Sequence, residues 1–218
     1  MELQNRTLKF RDSYRAAMQK NYSGFLHAGF VFGVGITLML LCFSHIEELR
    51  FWELLFIPAA VFLANVGEYV AHKELGHKKR KFAKLFYSRH TGDHHSFFNH
   101  VNYQVDAVRD LRVVLFPALL LVAVTAGAAA PMGWIIGKVA SPNAGWLFAG
   151  TLLCSYLFYE FIHLCDHLPE HYAITRWPLI KQLREHHRMH HDPANATLSN
   201  FNVTLPITDW MLGTLNKR

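Results

Sequence analysis

The chain has 218 residues, of which 51% are hydrophobic, and a formal net charge of +6; this length fits one domain, and the composition alone does not separate a soluble protein from a membrane protein. The isoelectric point near 9.3 would suit a nucleic-acid partner, but the positions of the basic residues explain the charge differently, and we expect no nucleic acid. The three cysteines show no pairing pattern and no Cys-x-x-Cys motif, which argues against disulfides and a zinc finger.

Residues 1–22 are basic and amphipathic, with Leu8 and Tyr14 beside Arg11 and Arg15. Such a segment suits a helix that lies on an anionic membrane surface. A frayed, solvated terminus would have the same composition, so the sequence leaves both interpretations open.

Four apolar stretches follow, each of about twenty residues, which is the length that an α-helix needs to cross a hydrocarbon core of about 30 Å. They cover residues 25–43, 51–71, 113–130 and 146–165. A charged segment precedes the first stretch and no small-residue cleavage site follows it, so we expect a span there rather than a signal peptide. The sequence therefore predicts an all-α, polytopic membrane protein with one domain over residues 1–218.

Lysine and arginine are concentrated in alternate connections between these stretches. Of the 22, five precede the first stretch, nine lie within residues 72–112 and six follow residue 165, whereas the two other loops hold one each. The positive-inside rule then places both termini and the 72–112 loop on the cytoplasmic side. The membrane itself, a bacterial inner membrane or the endoplasmic reticulum, stays open.

Thirteen of the fifteen histidines lie on this predicted cytoplasmic side. They include four clusters, in the order HxxxxH, HxxxHH, HxxxH and HxxHH: His72 with His77, His90 with His94 and His95, His163 with His167, and His187 with His190 and His191. Histidines three or four residues apart share one face of a helix. His72 and His77 are five apart and need a turn to converge, which Gly76 can supply.

Ten imidazoles suffice for two metal ions with four or five nitrogens each. Imidazole suits zinc, copper, iron and nickel, and this histidine-dominated set differs from the carboxylate-rich sites of soluble di-iron bundles. Asp93, Asp166 and Asp192 each adjoin a cluster histidine, and Glu185 lies two residues before His187. A carboxylate at such a position can accept the second ring N–H and orient the ligand. We expect that role for them, although ordinary solvated acids would occupy the same positions.

As a set, these motifs resemble the membrane-bound fatty acid hydroxylase superfamily, which includes fatty acid and sphingolipid hydroxylases, sterol desaturases and sterol methyl oxidases, with carotenoid ring hydroxylases as close relatives. The resemblance runs from about Glu68 to the C-terminus and includes the closing segment at residues 202–214. It implies a four-span bundle with a helical cytoplasmic cap and two iron ions held by the ten histidines. The implied activity is a monooxygenase-type oxidation of an unactivated C–H bond with O2 and two external electrons; zinc can replace iron in a purified sample.

Two departures from the family pattern matter. The second cluster has three residues before its HH pair, where fatty acid 2-hydroxylases have two, which weakens the case for that particular reaction. The sequence also lacks a cytochrome b5-like region with its His-Pro-Gly-Gly signature, so the resemblance implies a separate electron donor of the cytochrome b5 or ferredoxin type.

A lipid substrate dissolved in the bilayer would reach such a site through an apolar cleft at the inner ends of the spans. The candidate lining residues are Phe62 on the second stretch and Phe158, Tyr159 and Phe161 on the fourth. Aromatic residues in apolar stretches also serve as plain packing or lipid-facing groups.

The leading hypothesis is a hydroxylase acting on a fatty acyl, sphingolipid or sterol-like lipid. A lipid or sterol desaturase and a carotenoid ring hydroxylase are the enzymatic alternatives, because sequence does not reveal whether the substrate gains oxygen or loses a second hydrogen. A histidine-rich metal transporter is the non-enzymatic alternative; against it, His27 is the one histidine candidate in the predicted membrane interior, whereas transport needs ligands along a path near the midplane. An inactive relative would be expected to have lost some of the four clusters.

Overall fold

Four helices in the computed structural model, which describes residues 2–217, are long and apolar enough to cross a membrane. They are span 1 (Gly24–Ser44), span 2 (Phe51–Gly76), span 3 (Val108–Val139) and span 4 (Pro142–His167). Each contains one of the predicted apolar stretches and extends beyond it, and the described residues form no strand. The prediction of an all-helical, four-span membrane protein is confirmed.

Span 4 occupies the centre of the bundle. Its apolar window is 67% buried, against 11% for span 1, and it packs against the three other spans. Spans 3 and 4 approach closely at Gly137 and Gly145, where a Cβ on Gly145 would lie 2.8 Å from the Cα of Gly137. Small residues of this kind let membrane helices pack backbone to backbone, which fixes the packing of spans 3 and 4 at the end of span 4 opposite His163 and His167.

Outside the spans, the described residues form four α-helices of four residues or more. They are α1 (Glu2–Ala17), α2 (Lys84–Tyr87), α3 (Pro178–His190) and α4 (Ile207–Met211). In α1, Arg11 donates from Nε to the carbonyl of Phe97 at 2.8 Å, and Arg15 pairs with Asp110 at 2.7 Å. The N-terminal segment is therefore an ordered helix rather than a frayed terminus, and its arginines attach it to the loop between spans 2 and 3. Its contact with a membrane surface stays a prediction.

The helix of span 3 is interrupted at residues 115–117, which include Pro117. The interruption frees backbone groups inside the membrane, where water does not satisfy them. Neighbouring side chains do so instead: Glu160 accepts the Phe116 N–H at 3.3 Å, and the His27 Nε2 lies 3.0 Å from the Phe116 carbonyl oxygen. Phe116 is thereby held toward the interior of the bundle.

The C-terminal residues 199–217 pack against span 2 and form hydrogen bonds with its polar side chains. Asn65 donates to the Leu205 carbonyl at 2.6 Å and accepts from the Thr208 N–H at 3.1 Å and its hydroxyl at 2.8 Å. Glu68 accepts from the backbone and hydroxyl of Thr204, at 3.0 and 2.6 Å. These two residues interrupt the apolar pattern of span 2 because they face the C-terminal segment.

Replacing Asn65 by alanine is expected to lower the free energy of unfolding by about 2 kcal/mol or more, because the buried partners of its amide lose their hydrogen bonds. Thermal unfolding in detergent micelles measures this change. Gln182→Ala, on an exposed position of α3, is the control and should leave the midpoint unchanged. An unaltered midpoint for Asn65→Ala would mean that the C-terminal segment is held by other contacts.

Candidate metal centre

Two turns of π-helix explain how histidines five residues apart converge. Residues Ala71–Gly76 and Ser88–His94 are π-helical, and the backbone N–H groups of His77 and His95 donate to the carbonyls of His72 and His90. Such a turn closes over five residues and places both ends on one face; single π turns occur often at functional sites. Gly76 lies against His90, whose Cδ2 would be 2.8 Å from a Cβ at this position.

The first group of histidines consists of His72, His77, His90, His95 and His190. Four of their Nε2 atoms form a closed ring: the distances are 3.0 Å from His77 to His190, 3.1 Å from His77 to His90, 3.1 Å from His90 to His95 and 3.2 Å from His95 to His190. The Nε2 of His72 is buried and has no hydrogen-bond partner. Both π turns and α3 thus contribute to this group.

The second group consists of His94, His163, His167 and His187, and His191 lies directly against it. The Nε2 of His94 is 3.2 Å from that of His163 and 3.0 Å from that of His191, which in turn is 3.1 Å from that of His187. The Nε2 of His167 is buried without a partner. Span 4 supplies two of these rings, on one helical face four residues apart.

Two pairs of adjacent histidines divide between the groups. His95 belongs to the first group and His94 to the second; His190 belongs to the first and His191 contacts the second. Neighbouring residues at the end of a helix project in different directions, so one short segment serves both groups. The two groups are therefore positioned relative to each other by the same backbone.

Backbone carbonyls hold the outer ring nitrogens. The Nδ1 of His72 lies 2.5 Å from the Phe201 oxygen, that of His94 2.9 Å from Val113, that of His167 2.7 Å from Tyr103, that of His190 2.9 Å from Ser199 and that of His191 3.3 Å from Phe98. A carbonyl only accepts hydrogen bonds, so Nδ1 carries the proton and Nε2 points inward with a free lone pair.

Inward lone pairs about 3 Å apart repel one another unless a cation lies between them. Two nitrogens at about 2.1 Å from one metal ion and at right angles are themselves about 3.0 Å apart, which matches the Nε2 separations of 3.0 to 3.2 Å. The two orphaned nitrogens, on His72 and His167, point to the same conclusion. The donor sets therefore fit two metal ions.

Burial keeps these rings neutral, which a metal ligand requires. Desolvation lowers the pKa of each ring outside the spans, because the charged imidazolium loses its hydration. The histidines concerned are His77, His90, His94, His95, His187, His190 and His191.

None of the four acids expected to orient these ligands makes a hydrogen bond to a cluster histidine of the described residues. Asp93 pairs with Arg89 at 2.8 Å, Glu185 pairs with Arg188 at 2.8 Å, and Asp192 lies 3.9 Å from His100, outside both groups. Asp166 is buried, and its carboxylate has no hydrogen-bond partner. That expectation is corrected: backbone carbonyls hold five of the ten rings. These rings converge at helix ends and loops, where such carbonyls are not used within a helix. Sequence carries no signal for a backbone acceptor.

A cavity of about 480 Å³ lies between spans 2, 3 and 4, and its walls are almost entirely apolar. His72 and His90 of the first group line one end. Phe158 and Tyr159 line it as predicted, whereas Phe62 and Phe161 do not and are 46% and 40% exposed on the outer faces of their spans. The prediction was wrong for these two because the phase of each helix about its axis is set by packing, which an apolar stretch does not reveal. Sequence reasoning missed Phe86 and Phe116, which lie outside or at a break of the spans.

Comparisons with known proteins agree with this architecture. The fatty acid hydroxylase family matches residues 57–214, which include all ten cluster histidines. A solved structure described as full-length Scs7p with only the hydroxylase domain visible has 18% sequence identity and a TM-score of 0.61, and the match covers 89% of this chain and 67% of that one. At this identity the likeness shows the fold. A comparison with curated proteins gave no match.

Proposed function

Because the chain belongs to the fatty acid hydroxylase family, we propose that it is an integral membrane, O2-dependent di-iron oxygenase that hydroxylates an unactivated C–H bond of a lipid. The observation that carries this proposal is the apolar cavity with His72 and His90 at its end. A cavity of this size suits a small ligand, and its apolar walls select a hydrocarbon. A lipid chain bound in this cavity would lie against the first histidine group, which supports the proposal.

Iron bound by the two groups would supply the redox chemistry that side chains lack. The protein's own part is to bind and orient. The ring centroids of Phe116 and Tyr159 lie 6.0 Å apart at the histidine end of the cavity, and the centroid of Tyr159 lies 5.6 Å from that of His163. These rings confine the chain laterally and exclude water from the reacting carbon.

The cavity also favours oxidation at one region of the lipid. Its histidine end lies at the inner end of span 2, and its lining residue Val61 lies eleven positions earlier, which corresponds to about 16 Å along a helix. A lipid that keeps its head at the membrane face and its chain in the core would then present head-proximal carbons to the first group. We propose oxidation near the head of the lipid.

Analysis of cellular lipids tests the proposed function. Lipids from cells that produce the protein are compared with lipids from cells that produce the His190→Ala, His191→Ala form. A product heavier by one oxygen atom supports hydroxylation, whereas a product lacking two hydrogens would indicate a desaturase. Identical lipid profiles, with both proteins present at equal levels, would contradict the proposal.

The sidedness and the electron supply are part of the same proposal. The distribution of basic residues supports a cytoplasmic position for the histidine groups and both termini. The reaction needs two electrons from outside, and we propose a separate donor protein of the cytochrome b5 or ferredoxin type.

Metal analysis should give two ions per chain, with iron in the cell and zinc in some purified preparations, because imidazole accepts either. His77→Ala and His167→Ala should each reduce the content toward one, since each removes a ligand from a different group. Elemental analysis of folded, monodisperse protein measures the ratio. One ion or fewer in the unsubstituted protein would contradict the assignment of ten ligands to two ions.

A further inference from the structure

A short segment at residues 78–86 borders the histidine end of the cavity. It follows the π turn at the end of span 2 and contains a 3-10 turn, Lys81–Ala83, and the first three residues of α2. Phe86 lines the cavity, and its ring lies 5.0 Å from that of Phe116. We call residues 78–86 the interfacial segment. Because Phe86 is part of the cavity wall, the position of this segment relative to the membrane affects the shape of that wall.

The interfacial segment exposes large apolar side chains. Phe82 is 84% exposed and Leu85 is 58% exposed. They lie three residues apart, Phe82 in the 3-10 turn and Leu85 in α2. A single exposed apolar side chain is ordinary, but two within four residues beside membrane spans form a surface suited to the lipid interface.

The same segment is strongly basic. Its cations are Lys78, Lys79, Arg80, Lys81 and Lys84. Glu74 pairs with Lys78 at 2.5 Å and also with Arg80. Lys79, Lys81 and Lys84 are exposed, and the salt bridges within residues 2–217 include none of the three.

A second exposed apolar surface lies next to span 2. Trp210 is 70% exposed and Leu212 is 60% exposed, at the end of α4. This helix packs against span 2, and Leu205 just before it lines the cavity. Tryptophan is enriched at membrane–water interfaces. Exposed apolar side chains thus occur in both segments that pack next to span 2 and line the cavity, the interfacial segment and the region of α4.

We propose that the interfacial segment docks into the head-group layer of an anionic membrane leaflet, with Phe82 and Leu85 inserted and Lys79, Lys81 and Lys84 bound to lipid head groups. A lipid surface fits better than a protein partner, because the segment continues directly from a membrane span and combines inserted apolar groups with unpaired cations. Through Phe86, docking also sets the position of the cavity wall. This last consequence, control of substrate access by anionic lipid, rests on the proposed function.

Label depth in lipid nanodiscs tests the docking. A nitroxide is attached at Phe82→Cys in full-length protein carrying Cys42→Ala and Cys154→Ala, and its accessibility to O2 and to a polar nickel chelate is measured. Glu185→Cys, exposed on α3, is the control. We expect the label at 82 to favour O2 and the label at 185 to favour the chelate. Equal, chelate-dominated accessibility at both positions would overturn the proposal.

The role of charge is tested by adding phosphatidylglycerol to phosphatidylcholine nanodiscs. Each lysine near an anionic surface favours the docked state by about fivefold, so the label at 82 should move deeper. The shift should be abolished in the triple variant Lys79→Gln, Lys81→Gln, Lys84→Gln. It should be retained in the control variant Arg176→Gln, Lys181→Gln. A shift that persists in the triple variant would contradict the head-group contacts. Label depth needs no catalytic turnover, so this result is independent of whether the protein hydroxylates lipids.

Discussion

Replacing His190 and His191 together by alanine is expected to lower product formation by at least about 100-fold, because changes even to groups that only orient metal ligands cost about 10- to 100-fold. The two residues are adjacent, yet His190 belongs to the first group and His191 contacts two rings of the second. The double change therefore removes one nitrogen from each proposed metal site. Product is measured by mass spectrometry of extracted lipids at equal protein levels.

His171→Ala is the matched control. His171 follows span 4 in the same C-terminal part of the chain but is exposed and belongs to neither group. It should leave both product formation and metal content unchanged. Full activity of the double variant, or an equal loss of activity in the control, would contradict a role of the histidine groups in the reaction.

The sequence predicts the proposed metal ligands better than it predicts the groups that position them. The four clusters are visible because a helix places residues three or four apart on one face, as at His163 and His167. The five-residue spacing of His72 and His77 is resolved by a π turn, which depends on tertiary context rather than on local propensity. The spacing alone therefore indicates that these two rings have to converge, and the structure shows how.

The carbonyl acceptors illustrate a limit of a different kind. Phe201 and Tyr103 hold ligand rings through backbone oxygens, and any residue type has such an oxygen. Asp93 and Glu185, by contrast, have the right chemistry and the right position in sequence, yet they pair with arginines. Adjacency along the chain does not determine which neighbour a side chain meets across the fold.

Span 2 shows what sequence could and could not indicate about the cavity. Asn65 and Glu68 predict an inward face because polar groups in a membrane avoid lipid, and they do contact the C-terminal segment. Phe62 has no such marker, since an aromatic ring suits lipid and protein equally. Polar residues therefore determine the orientation of this helix more reliably than apolar ones.

Gly67 provides a direct test of the cavity, because it lines the cavity and a Cβ added there would meet no atom within 4 Å. Gly67→Phe is expected to place a ring in the space proposed for the lipid chain. The catalytic efficiency kcat/KM should fall by about 100-fold, since displacement of a substrate by about 1 Å already costs that much. Fold stability should change little, because the Cβ meets no atom and the cavity offers space for the ring.

Gly33→Phe is the matched control for this substitution. Gly33 lies on span 1, also has open space at the Cβ position and does not line the cavity. The same glycine-to-phenylalanine change there should leave kcat/KM and metal content intact, with the ring facing lipid. Metal content of two ions in both variants would show that Gly67→Phe acts on substrate binding rather than on the histidine groups. Unchanged kcat/KM for Gly67→Phe would mean that the lipid chain reaches the first group by a path outside this cavity.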